Sequence, residues 1–221
     1  MIEGLKDWNK IVIAEHLIPI FSTLQKRARN TIICPRSQLV FKAFEVCPYD
    51  KLKVVMLGQD PYPQKDISIG IAFGNKDNTP DDKLSPSLQV LKEACINYEI
   101  PHNPYVFDNT LEYWGSQGVL LLNSALTCEL GKPNSHLLLW RPFISQVLNR
   151  LSMYNPGLIY VLFGSTAKTF KPYIHNGHII EIEHPAWFVR TGKKMPSKLF
   201  TDINKLLKTY FDTTIEWYKE I

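Results

Sequence analysis

"KLKVVMLGQDPYP", residues 51–63, decides how the chain folds. Its apolar half, residues 54–57, is continuous rather than alternating, which suits a strand of a parallel sheet covered on both faces. Its second half stops that strand with an acid, an aromatic and two prolines. Each proline fixes φ near about −65° and removes a backbone donor, so the corner is stiff. A stiff corner at the end of a core strand holds Asp60 and Tyr62 in set directions. A site that positions a reacting water beside a steric wall needs that.

Three further apolar runs read as strands: "GVLLLNSAL" (118–126), "GLIYVLFG" (157–164) and "HIIEIEH" (178–184). Helical patterns lie between and after them. "SPSLQVLKEACINY" (85–98) opens with Ser85 as N-cap and Pro86 at the first helical position. "RPFISQVLNRLSMY" (141–154) has apolar residues at helical spacing, and "PSKLFTDINKLLKTYF" (196–211) repeats Leu199, Ile203, Leu206 and Leu207. Residues 6–29 also read as mainly helical. Strands alternating with helices predict an α/β, three-layer sandwich with a central, largely parallel four-stranded sheet flanked by helices. No repeat or long linker interrupts it, so a single domain over residues 1–221 is expected.

Each strand runs into a polar group: "LGQDPYP", "LLLNSA", "LFGSTA" and "EIEHPA". Parallel sheets bind ligands beyond the carboxyl ends of their strands. Asp60, Asn123, Ser165 and His184 are therefore expected at one crevice, bringing together an acid, an amide, a hydroxyl and an imidazole.

Composition narrows the class. The 221 residues are 45% hydrophobic and 12% aromatic, enough for a sizeable core. No stretch reaches the roughly 18 unbroken apolar residues of a membrane span, and no secretory h-region follows the N-terminus. A cytoplasmic setting is expected, with a nuclear or viral one left open. Cys34, Cys47, Cys95 and Cys128 lack zinc-ligand spacing and read as buried, reduced thiols. The net charge of +4 permits an anionic partner, and residues 185–201 carry Arg190, Lys193, Lys194 and Lys198 with no acid among them. A solvated basic loop is the plain alternative reading.

On these residues the sequence resembles the family 1 uracil-DNA glycosylases, from about Trp8 to the C-terminal "IEWYKE". "VVMLGQDPYP" resembles that family's water-activating loop, and "GVLLLNSALT…NSH" its uracil-recognition strand with the loop that follows. "EHPAWFVRTG" resembles its DNA-intercalation loop; "LSPSL", "WGSQG" and "FGSTA" are further matches.

The resemblance implies hydrolysis of the bond between uracil and deoxyribose in DNA, after the base has been flipped out of the stack. Asp60 would orient the water and stabilise the sugar cation, and neutral His184 would hydrogen-bond the uracil oxygen that gains charge. The Asn123 amide would match uracil's adjacent donor and acceptor, a pattern that cytosine reverses. Phe73 would stack on the base, Tyr62 would exclude thymine's methyl, and Gln59 would contribute to the pocket floor. Ser87 and Ser165 would grip phosphates. Phe188, with Trp187 beside it, would wedge into the stack, supported by Arg190 and Lys193. DNA, single- or double-stranded, is the implied partner of a monomer, with no membrane, metal or cofactor.

Simpler roles stand beside these. Phe73 could be core, Tyr62 could cap the corner, Asn123 could satisfy a loop, and Ser87 could serve its helix. The family's pattern also departs in two places: "PQKDISIG" lacks a histidine after the tyrosine, leaving Lys65 as a replacement contact, and "HPAWFV" has Ala186 and Val189 where serines are usual. Excision of another modified pyrimidine, a non-catalytic DNA-binding homologue and a nucleoside hydrolase remain as alternatives.

Overall fold

The computed structural model describes residues 3–99, 101 and 103–221. Two 3-10 turns, Glu3–Trp8 and Ala14–His16, lead into helix α1 (Leu17–Arg27). Strand β1 (Ile33–Cys34), the short helix α2 (Lys42–Val46) and strand β2 (Val54–Gly58) follow. Then come α3 (Pro86–Ile96), β3 (Tyr105–Val106), α4 (Glu112–Ser116), β4 (Val119–Asn123) and β5 (Cys128–Glu129). The second half holds α5 (Leu137–Tyr154), β6 (Ile159–Phe163), α6 (Gly164–Lys168), β7 (His178–Ile182), α7 (Pro185–Thr191), α8 (Lys198–Phe211) and β8 (Lys219–Glu220).

The central sheet has strand order β4-β2-β6-β7, and every pairing is parallel. The two-fold alternation of side chains splits its apolar strands between two cores. Val55, Leu57, Leu120, Leu122, Tyr160 and Leu162 face one core with α1, α2 and α5. Val54, Met56, Leu121, Ile159 and Val161 face the other with α3, α4 and α8. Strands buried on both sides cannot alternate with polar residues, which is why these runs are continuous. The expected three-layer architecture is present.

The last strand differs from the sequence reading. β7 lies at the sheet edge and is only partly buried, and its Glu181 pairs with Lys171 at 2.6 Å. Helix α5 begins at Leu137, a turn before the apolar pattern, and runs through Pro142. The two-residue ladders β1–β5 and β3–β8 are too short to leave a periodic signal. All four cysteines are buried and unbridged. Among the described residues no helix is long and apolar enough to cross a membrane.

Register fixes what the sheet presents. Gly58 stands opposite Asn123 and Phe163 opposite Ile182, so the chains after β2, β4, β6 and β7 leave from one edge.

Candidate active site

The corner after β2 is fastened to the chain after β4. Both the backbone N–H and the hydroxyl of Ser124 donate to the Gly58 carbonyl, at 3.1 and 2.7 Å. Ala125 N–H donates to Gln59 O at 3.0 Å, the Cys128 thiol to Pro61 O at 3.3 Å, and Gly131 N–H to Pro63 O at 2.7 Å. The prolines give up their own donors, yet the carbonyls of this segment are held from the neighbouring strand. Asp60 is thereby fixed in place. Its Oδ2 accepts the Asn134 N–H at 2.5 Å, and its Oδ1 accepts from Gln59 Nε2 at 3.3 Å. Burial raises its pKa above the ordinary aspartate value, and these two hydrogen bonds to the carboxylate oppose the rise.

A narrow cleft opens beside this corner, walled by Asp60, Pro61, Tyr62, Ser68, Ile71, Phe73, Ser87, Asn123 and His184. The polar group of the Asn123 side chain lies against backbone: a Cβ on Gly58 would fall 2.6 Å from Asn123 Oδ1 and 3.2 Å from the Phe73 ring. Gly58 is therefore required by close approach, although it lies within a strand. Phe73 has φ of 68°, a strained setting for a bulky residue, and its carbonyl accepts the Tyr62 hydroxyl at 2.9 Å. The Phe73 ring sits 5.0 Å from Phe163 and 5.6 Å from His184. Tyr62 and Phe73 thus brace each other at the cleft wall, and burial raises the Tyr62 pKa.

His184 caps α7. Its Nδ1 accepts the Ala186 N–H at 3.2 Å, so the neutral ring carries its proton on Nε2. Burial, then the charge of Arg190, lowers its pKa to about 4. The imidazole is neutral at neutral pH and presents one donor. Gly164, at φ 78°, leaves room for it, since a Cβ there would stand 2.8 Å from His184 Cβ.

The sequence-derived set divides into two groups. Asp60, Tyr62, Phe73, Asn123, Ser87 and His184 converge on the cleft. Gln59 does not line it; its amide donates to Asn134 Oδ1 at 2.7 Å and braces Asp60 from outside. Ser165 is exposed at the start of α6. Ser85 occupies the N-cap of α3, but its hydroxyl accepts from Asn75 rather than capping its own helix. Lys65 is exposed on an adjoining cleft with Arg36 and Lys76.

The residue expected as a wedge points inward in this structure. Residues 185–191 form α7, and Phe188 is 6% exposed within the core that includes Leu88 and Leu91 of α3. Pro185 and Phe188, three residues apart, share the inner face of this helix. The outer face carries Val189, 44% exposed, and Arg190, with Trp187 partly buried beneath Lys193 Nζ at 5.3 Å. Lys194 pairs with Glu93 at 3.4 Å.

Sequence reasoning missed Gly58, Ser68, Ile71, Asn134 and Gly164 as parts of the site. Gly58 and Gly164 had a signal, each being a glycine at the carboxyl end of a core strand. Asn134 contributes a backbone N–H that any residue but proline carries, together with its Oδ1 and a left-handed φ of 67° that suits asparagine.

The uracil DNA glycosylase superfamily model matches residues 44–208. The chain is 34% identical over 220 residues to a uracil-DNA glycosylase of Campylobacter jejuni subsp. doylei, covering 96% of this chain and 92% of that relative. It is 33% identical over 221 residues to the uracil-DNA glycosylase of Coxiella burnetii, covering 95% and 93%. Among solved structures, a mimivirus UNG in complex with UGI superposes with a TM-score of 0.81 at 25% identity, covering 97% of this chain and 88% of that one. UNG from Nitratifractor salsuginis superposes at 0.67 and 22% identity, covering 91% and 94%, a likeness of fold.

Proposed function

The chain belongs to the uracil DNA glycosylase superfamily, and from that premise we propose that it hydrolyses the N-glycosidic bond of uracil flipped out of DNA, leaving an abasic site. The observation that carries the reading is the meeting of the Asp60 carboxylate, the Asn123 amide and the His184 imidazole around one cleft. Departure of uracil leaves positive charge on the sugar and negative charge on the base. Asp60 meets the first need, orienting water and facing the cationic sugar. The neutral His184, proton on Nε2, meets the second by donating to the uracil oxygen without giving up its proton.

Asn123 offers a donor and an acceptor on one amide, the complement of uracil's adjacent N3–H and O4. Cytosine would leave both buried groups unpaired, a large penalty. Phe73 supplies an aromatic face for stacking and Tyr62 a rigid wall toward the C5 edge. Ser87 lies in the same wall, and Ser165, Arg190 and Lys193 lie on the surface where a phosphate backbone would run. A monomeric, single-domain enzyme is part of this reading.

Alkaline cleavage of a uracil-containing oligonucleotide, single-stranded and duplex, tests the reading. Wild-type protein is expected to produce abasic sites in uracil strands and none in thymine strands. Asp60→Asn should lower excision by about 10²–10⁴-fold with DNA binding retained. Undiminished excision by Asp60→Asn would remove the assigned mechanism. Tyr62→Ala should begin to cleave thymine; if it does not, the wall excluding the methyl lies elsewhere.

A further inference from the structure

The Asp60 carboxylate is held from outside the cleft by the turn at residues 129–136, which contributes nothing to the cleft wall. We propose that Glu129, acting through this turn, is a positioning residue for Asp60. The inference rests on the role given to Asp60 above.

The turn touches the corner at three points. Asn134 N–H donates to Asp60 Oδ2 at 2.5 Å, Asn134 Oδ1 accepts from Gln59 Nε2 at 2.7 Å, and Gly131 N–H donates to Pro63 O at 2.7 Å. Asn134 can aim its N–H at Asp60 because its φ is 67°, a left-handed setting that asparagine tolerates and β-branched residues do not. Something must hold the turn in that shape, because residues 131–134 are exposed and bury no apolar surface that could fix them.

Glu129 is the hub that does so. Its backbone N–H donates to Ser135 Oγ at 2.8 Å, and its carbonyl accepts the Lys132 N–H at 2.9 Å, closing the turn at both ends. Its carboxylate is only 13% exposed, and it accepts from Arg27 Nη1 at 3.2 Å and Lys132 Nζ at 2.9 Å. The same Arg27 nitrogen reaches Ser135 O at 3.4 Å. The third neighbour is His136, whose side chain is fully buried. Thr127 Oγ1 accepts from Trp140 Nε1 at 2.7 Å and pairs with His136 Nδ1 at 2.8 Å. The His136 Nε2 has no hydrogen-bond partner among the described residues and lies 3.9 Å from Glu129 Oε1. An arginine, a lysine and an imidazole ring thus surround one carboxylate behind the turn.

The arrangement makes Asp60 depend on a charge it does not touch. Loosening the turn withdraws the Asn134 N–H from the carboxylate. Its pKa, which burial raises and this bond opposes, then rises further. The titratable groups around Asp60 are His184 and Tyr62 across the cleft and the Cys128 thiol behind it. Those around Glu129 are Arg27, Lys132 and His136.

The test is steady-state excision of uracil from a single-stranded oligonucleotide across a pH series. Glu129→Gln should lower kcat by about fivefold, the rate counterpart of roughly 1 kcal/mol of lost orientation. KM should stay within about twofold, and the acidic limb of the profile should move to higher pH. Arg27→Ala should act in the same direction and Arg27→Lys should restore kcat, a rescue that would still report if Glu129→Gln were too unstable to assay. A separate pair tests the backbone amide: Asn134→Gly keeps the left-handed setting and its N–H and should retain most of kcat, whereas Asn134→Val should lose it. Wild-type kcat and an unmoved limb in Glu129→Gln and Arg27→Ala would overturn the proposal while leaving uracil excision standing. Equal losses in Asn134→Gly and Asn134→Val would overturn it too. Absence of excision in the wild type would instead overturn the activity itself.

Discussion

Two segments of similar length meet at the cleft, the corner after β2 and the helix after β7, and they are built on opposite plans. Residues 58–63 are held by backbone: four of their carbonyls, Gly58, Gln59, Pro61 and Pro63, accept from residues 124–131. Among the described residues, no backbone hydrogen bond fastens α7 to neighbouring elements in this way. It is seated by side chains, with Pro185 and Phe188 turned into the core beside α3 and Val189 and Arg190 turned to solvent. The difference follows from the task of each. A water and a pyrimidine must be positioned within a fraction of an ångström, which backbone geometry can do. A phosphate backbone needs charge at the surface, which tolerates many residues. The departures from the family pattern fall partly on this second segment.

Phe188 is the sharpest way to break that contrast. If it packs α7 rather than entering DNA, Phe188→Ala should cost about 3–5 kcal/mol of stability, as for other buried phenylalanines. Denaturant unfolding measures this. A wedge would behave otherwise, with stability unchanged and affinity for duplex lost.

His184 belongs to both plans, since it caps the helix and walls the cleft. Its pKa, depressed from 6.5 to about 4, corresponds to roughly 3 kcal/mol. In the unfolded chain the imidazole takes up a proton as the pH falls below about 6.5, while in the fold it stays neutral to about 4. This stability is complete above 6.5 and is lost as the pH falls through the folded value. Asp60, whose folded pKa is raised, works in the opposite direction. The difference between wild type and His184→Leu isolates the histidine: the variant should lose excision yet show a flatter decline of stability between pH 6.5 and 4. Equal slopes would mean that His184 is not buried as a neutral ring.

On the corner side, Gly58→Ala should leave the protein folded and lower excision by about a hundredfold, because the new methyl displaces the Asn123 amide. Wild-type activity in this variant would show that the amide can shift without loss.

The same contrast explains what could be read beforehand. The four strands were legible because burial on both faces forces continuous apolar runs, and Asp60, Asn123 and His184 because polar groups interrupt those runs at one sheet edge. The corner's fastening was only partly legible: the Asn134 and Gly131 N–H groups are ones any residue but proline carries, although the left-handed φ at both positions suits an asparagine and a glycine. α7 was not legible for a different reason. In "HPAWFV" three of the six residues are large and apolar, so the sequence does not say which of them faces the core. The helical phase decides it, and that phase is set by the start at Pro185 and by packing on α3.

Arg190→Gln is expected to have the smallest effect, and it separates the two plans most cleanly. Arg190 is exposed on α7, and its charge contributes to lowering the His184 pKa after burial has done most of it. If it contacts one phosphate, its loss should reduce the slope of log affinity against log salt by about 0.7–0.9, to the same extent for uracil and thymine strands. Anisotropy titrations at several salt concentrations measure that slope. The discrimination between uracil and thymine should not change, because the groups that read the base are held by the other segment. The His184 pKa should rise slightly once the neighbouring charge is gone, extending the loss of activity at the acidic end and leaving neutral pH untouched. A variant that kept its salt slope but lost discrimination would mean that α7, like the corner, reads the base, and the division of labour drawn between the two segments would fail.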